Sequence, residues 1–197
     1  MKRHSIFSLS AFATVAMIWV AVFASTLRPV AAPASTVAQN PDAKVARGAY
    51  LVTIMGCNDC HTPWKMGPQG PEPDMTRMLS GHPQDLAMSP VTLEKGPWGW
   101  VGAASNTAFS GAWGVSFTAN LTPDPETGLG KWPEETFIRA IRTGRHEGQG
   151  RPILPPMPYM QYRNATDADL GAVFSFLQSI PAIRNRVPQP IDPPESE

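Results

Sequence analysis

Both cysteines of the chain fall within the eight residues GCNDCHTP, 56 to 63, and a histidine stands directly after the second. Side chains three apart share one face of a helical turn, so Cys57, Cys60 and His61 can converge on a single object. Whatever fold encloses them must leave room for it. A disulfide between the two thiols suits an exported chain but leaves His61 without a role. Zinc would need further ligands, and the remaining histidines are His4, His82 and His146. A thioredoxin-type pair calls for a strand and helix around the motif, which the Gly- and Pro-rich surroundings do not suggest. C-x-x-C-H is the attachment pattern of c-type haem, in which each thiol adds to a vinyl group and the adjacent imidazole ligates iron. The motif occurs once, so one covalent haem c and its iron are expected, bound by Cys57, Cys60 and His61.

A second axial ligand must come from a loop able to fold over the porphyrin. The segment ILPPMPYM, 153 to 160, offers Met157 between prolines 155, 156 and 158, whose fixed φ leaves the thioether little freedom to lose. Met160 is the alternative distal ligand. His/Met ligation raises the reduction potential relative to bis-His ligation. The chain has nine methionines, and most are expected to be adaptable packing. His82 and His146 are expected on the surface or in loops, although either one as ligand would give a lower-potential bis-His centre.

The 197 residues suit one domain, and 22 prolines with 16 glycines call for long loops over short helices. Sixteen basic residues balance sixteen acidic ones, which argues against a nucleic-acid partner. Lys2 and Arg3 precede an apolar run from Ala11 to Phe23. Residues 1–27 therefore read as a signal peptide or an N-terminal membrane anchor, and 28–41 as a flexible linker. Residues 42–185 form the expected monohaem domain, and 186–197 a Pro-rich acidic tail. Residues 1–40 hold Lys2, Arg3 and Arg28 and no acid, which leaves 13 basic against 16 acidic residues beyond them, a net charge of −3. The product is expected in the periplasm, released there or held at the inner membrane by its N-terminus.

Three helices are expected. Asp42 to about Ile54 carries Val45, Ala49 and Val52 on an apolar face. Gly48 sits where a partner helix could approach closely. PEETFIRAIRTG begins at Pro133 with acids in its first turn, turns Phe137, Ala140 and Ile141 inward, and stops at Gly144. The last helix opens on Thr166 with Asp169, repeats Leu170, Val173, Phe174, Leu177 and Ile180, and ends before Pro181; it is expected to cross the first helix near Gly48. Between His61 and Pro133, Trp64, Trp98, Trp100 and Trp113 are expected to cover cofactor edges.

These segments, RGAYLV before CNDCHTP, then PDMTRMLSGHP, TANLTPDPETGLGKWPEETFIRAIRTG and LPPMPYMQYRNATDADLGAVFSFLQSIP, resemble class I c-type cytochromes. The resemblance covers roughly residues 43 to 185 and is strongest to the cytochrome domains of bacterial dehydrogenase cytochrome c subunits. It implies an all-α cytochrome c fold of three to five short helices around one haem, with Cys57 and Cys60 as thioethers, His61 proximal and Met157 distal. It also implies an electron carrier rather than an enzyme. Its redox partners would be a dehydrogenase or quinol-linked donor and a terminal oxidase or other acceptor. Two other readings are a haem protein open to peroxide, oxygen or nitric oxide, and a haem-bearing docking subunit of a dehydrogenase complex.

Overall fold

The structure is a computed structural model that describes residues 41–91, 93 and 96–193. The expected leader, the linker up to residue 40 and the last four residues of the tail lie outside the described residues. Helix α1 spans Pro41–Ile54 and is followed at once by α2, Cys57–His61. Strands β1 (Trp64–Gly67) and β2 (Gly70–Pro73), then β3 (Trp100–Gly102), β4 (Ala108–Gly111) and β5 (Gly114–Phe117), fill the middle of the chain. Helices α3 (Glu134–Thr143), α4 (Tyr159–Tyr162) and α5 (Asp167–Ser179) complete it, with single 3-10 turns at Met75–Arg77 and His146–Gly148.

The long helices end where local chemistry ends them. Helix α3 opens after Pro133, carries Glu134 and Glu135 in its first turn and stops at Gly144, whose φ of 64° is the left-handed geometry glycine adopts freely. The Thr166 hydroxyl accepts from the Asp169 amide at 3.1 Å and caps α5. Helices α1 and α5 cross at Gly48, where a Cβ would lie 2.0 Å from the Ala172 carbonyl oxygen. The glycine thus exchanges about 1 kcal/mol of helix propensity for close packing. Leu51 and Val52 meet Leu170, Val173, Phe174 and Leu177 there, and Phe137 and Ile141 bring α3 into the same apolar core. Three ion pairs join these helices at the rim, Lys44 to Glu134, Arg47 to Asp169 and Arg142 to Asp167.

The expectation of an all-α fold fails in the middle of the chain. Strands β1 and β2 form an antiparallel hairpin with Trp64 opposite Pro73 and Gly67 opposite Gly70. Strands β3, β4 and β5 form an antiparallel meander in that order, with Gly111 opposite Gly114 around a two-residue turn. Among the described residues the architecture is therefore mixed, five short α-helices with two small sheets. The reason is physical. Strands of three or four residues are too short to display an alternating pattern, and β4 and β5 each bury three consecutive residues. Their flanking glycines and the prolines of β2 look like loop punctuation in the sequence.

The meander edge is extended by the C-terminal run. Val115 and Ile191 exchange backbone hydrogen bonds of 2.8 and 3.0 Å. Gly114, at φ 87°, lets this strand in, since a Cβ would sit 2.0 Å from the Ile191 carbonyl oxygen. Among the described residues, no helix is long and apolar enough to cross a membrane.

Candidate functional site

Helices α3 and α5 on one side and the meander on the other enclose a cavity of about 530 Å³, within the range of cofactor pockets, about 300–1,000 Å³. Gly56, at φ 66°, turns the chain from α1 into α2, and that short helix presents Cys57, Cys60 and His61 to the same cavity. The two thiols are not bonded to each other. Burial pushes the Cys57 thiol up to about 11, so it stays protonated near neutral pH. Burial also raises the Cys60 thiol.

His61 is buried, and its Nδ1 lies 2.8 Å from the Ala119 carbonyl oxygen. A carbonyl only accepts, so Nδ1 carries the proton and the Nε2 lone pair is left for a metal. Burial holds the imidazole below its ordinary value, while the Ala119 carbonyl pulls the other way. The neutral ring is the form that can ligate. Among the described residues no group of three or more His, Cys, Asp or Glu side chains is arranged to hold a metal ion by itself.

The Pro-rich segment supplies another part of the wall. Met157 is half-buried and lines the cavity, whereas Met160 is 63 % exposed and does not. The Ser116 hydroxyl donates to the Pro155 carbonyl at 2.6 Å and ties this loop to β5. Tyr162 lines the same space, and its hydroxyl donates to the Met55 carbonyl. Burial pushes that phenol up to about 12.

His82 lies in a loop and His146 is exposed, as expected, whereas the tryptophans depart from expectation. His82 is fully buried, with Nδ1 at 2.9 Å from Thr107 Oγ1 and Nε2 at 2.8 Å from the Leu86 carbonyl. Both ring nitrogens are engaged, and the residue lies outside the cavity lining. His146 is exposed yet reaches the lining, edge-on to Trp132 at 5.2 Å between ring centroids. Of the four tryptophans expected at the cofactor, only Trp100 lines the cavity. Trp64 donates to the Asp59 carbonyl and Trp113 to the Ser116 hydroxyl, while Trp98 is exposed. Trp132 and Arg151, which sequence reasoning did not single out, do line it. Trp132 sits immediately before the Pro133 that opens α3, a position local signals mark only as a helix entrance.

The walls are mainly apolar, with Leu170, Val173 and Leu177 from α5 and Phe109 and Phe117 from the meander. Two unpaired thiols, a neutral imidazole with a free nitrogen and a thioether share one such cavity. This donor set fits a covalently held haem.

No family model matches the chain. Over 87 residues, 44 % of its length, the chain is 40 % identical to a subunit of the nicotinate dehydrogenase of Pseudomonas putida, of which that stretch covers 7 %. It is 26 % identical over 155 residues to the cytochrome c subunit of the quinone-type alcohol dehydrogenase of Gluconobacter oxydans, covering 77 % of this chain and 25 % of the relative. Identity to the gluconate 2-dehydrogenase cytochrome c subunit of Pantoea cypripedii is 27 % over 138 residues, 70 % of this chain and 23 % of that one. The chain thus spans a quarter or less of the length of these curated relatives. Its homologues over most of its length are cytochrome c subunits of bacterial dehydrogenases, at modest identity.

Proposed function

We propose that this chain is a haem-bearing electron-transfer subunit. It takes single electrons from a dehydrogenase or quinol-linked donor and passes them to a further acceptor, and makes or breaks no substrate bond itself. The observation that carries this reading is His61, with Nδ1–H committed to the Ala119 carbonyl and Nε2 free, beside two unpaired thiols in one apolar cavity. Its likeness to cytochrome c subunits supports the same reading.

When bound, haem c supplies a reversible one-electron iron centre. Cys57 and Cys60 would hold one such group through thioether bonds, and His61 Nε2 and the Met157 thioether would ligate its iron. Exposure of Met160 away from the cavity favours Met157 over it. The apolar side chains of α5 and the meander exclude water, and so disfavour the more highly charged oxidised state. The thioether works in the same direction, since a soft donor favours the reduced metal. The expected site of action is the periplasm, with residues 1–27 removed as a signal or kept as an inner-membrane anchor.

The test is a mass measurement and a spectrum on the purified mature protein. We expect one added haem mass and, when oxidised, a near-infrared sulfur-to-iron charge-transfer band. Met157→Leu should abolish the band, and Met160→Leu should keep it. Bare polypeptide would refute the reading. Tight binding of carbon monoxide by the reduced wild type would replace it with an open, ligand-binding haem.

A further inference from the structure

The carbonyl that orients His61 is held from outside the cavity by the C-terminal run. Ala119 lies between two tethered neighbours. Thr118 donates its amide to the Thr107 carbonyl at 2.9 Å and accepts from the His82 amide at 3.0 Å. On the other side the buried Asn120 amide donates to the Ile183 carbonyl at 2.8 Å, and its oxygen accepts from the Thr122 amide and hydroxyl at 3.0 and 2.7 Å. The backbone of His61 is fixed by a second segment, because its carbonyl accepts from the Gly81 amide at 2.8 Å. That segment packs directly on the first. A Cβ at Gly81 would lie 2.6 Å from the Ala119 carbonyl oxygen.

Asn185 joins the two segments. It is 1 % exposed, and its amide donates to the carbonyls of Ser80 at 2.7 Å and His82 at 2.9 Å while its oxygen accepts from the Gln84 amide at 2.9 Å. Its backbone amide donates to Thr127 Oγ1 at 3.0 Å, and that hydroxyl also accepts from Asn120 at 3.2 Å. Its side chain therefore fixes the loop that grips the His61 backbone, while its backbone reaches, through Thr127, the residue next to the carbonyl that grips the ring. Leu79, at the head of the loop, adopts φ 58° with its amide on Thr62 Oγ1 and its carbonyl on the Leu121 amide. A residue with a β-carbon stays in that region only where its surroundings over-determine it.

We propose that Asn185 is a positioning residue for the His61–Ala119 hydrogen bond, and that through it the C-terminal run sets the donor strength of the imidazole toward iron. The inference rests on the haem reading above. A hydrogen bond from Nδ1–H to a carbonyl raises ligand basicity, and a more basic imidazole favours the ferric state. Loosening the bond shifts the equilibrium toward ferrous iron.

The test uses the full haem-loaded chain. Asn185→Ala should move the ferric/ferrous equilibrium toward ferrous, by up to about tenfold, and should shift the His61 Nδ1–H proton resonance. If the alanine variant fails to accumulate, Asn185→Ser, which keeps one donor, carries the same comparison with a smaller shift. Val52→Ala, in the α1–α5 crossing away from the cavity, is the control and should lower the melting temperature while leaving resonance and equilibrium in place. Unchanged resonance and equilibrium in the Asn185 variants would overturn the proposal, as would an equal shift in Val52→Ala. Mass spectrometry of the wild type comes first. A chain without haem would bring down the functional reading as well, an outcome thereby distinguished from failure of the positioning role alone.

Discussion

The helical part of the molecule and its middle are held together by different forces. Helices α1, α3 and α5 meet through Leu51, Val52, Phe137, Ile141, Leu170 and Leu177, and none of the buried polar residues among the described ones lies on those three helices. Thr62, Ser80, His82, Thr107, Asn120, Thr122 and Asn185 are all buried in the middle segment or the C-terminal run. Apolar burial is non-directional and scales with area, whereas a buried hydrogen bond is specific and costly when one partner is lost. The first kind of region tolerates small shifts, and the second fixes atoms in place. His61 stands at the seam, its backbone in a helix that follows α1 and its ring bonded into the polar region at Ala119.

The strongest way to break this contrast is to overfill the helical crossing. Gly48→Leu places a branched side chain where even a Cβ would meet the Ala172 carbonyl at 2.0 Å, and backbone cannot move aside as a flexible side chain can. We expect a loss of about 3 kcal/mol or more, a fall of roughly 10 °C in melting temperature. Thermal denaturation checks it. An unchanged melting temperature would mean the crossing does not support the fold.

A smaller effect probes the polar region through pH. Burial holds the His82 imidazole below its ordinary value, the Arg77 charge adds to this, and the Leu86 carbonyl and Asp85 oppose it. The folded-state value is thus depressed below the unfolded one, about 6.5. Above that pH both states carry neutral imidazole and the stabilisation is complete. As pH falls below it the unfolded chain takes up a proton that the folded one resists, so stability is lost, by at most about 1.4 kcal/mol per pH unit from this group. Proton NMR titration of the His82 ring should show less than half protonation at about pH 6.5. A midpoint at or above the ordinary value would show that the polar region admits a charge and is looser than its hydrogen bonds imply.

What the sequence disclosed follows the same division. Helix α3 was legible to within a residue, because Pro133 and Gly144 mark its ends chemically and Phe137, Ala140 and Ile141 recur at helical spacing. The Thr166 cap and the Gly48 crossing were legible for similar reasons, each depending on a few residues near in sequence. The meander was not, since its strands span three or four residues and pair through a backbone that leaves no periodic trace. Asn185 was equally hidden, as its partners at Ser80 and His82 are about a hundred positions away. At the candidate site the motif pointed to Cys57, Cys60 and His61, and all three sit within one short helix that lines the cavity. Trp132 and Arg151 reach the cavity only through tertiary folding.

The smallest effect sharpens the contrast by asking whether charges contribute to the helical part at all. Arg142 on α3 reaches Asp167 at the start of α5, and the two side chains are 34 % and 74 % exposed. So exposed a pair gains little from its attraction, since water screens it and two long side chains lose rotamer freedom. Asp167 also sits in the first turn of α5, where a carboxylate complements the helix dipole. Asp167→Asn keeps the side-chain shape and leaves the bond from Arg142 to the Arg163 carbonyl intact. We expect a loss of about 0.5 kcal/mol, a shift of about 1–2 °C, that shrinks as salt rises because exposed charges are screened over about 10 Å at 0.1 M. Melting curves at low and high salt measure it. A loss of several kcal/mol, unaffected by salt, would mean that the helices depend on a desolvated charge and that the two regions are not held by different forces after all.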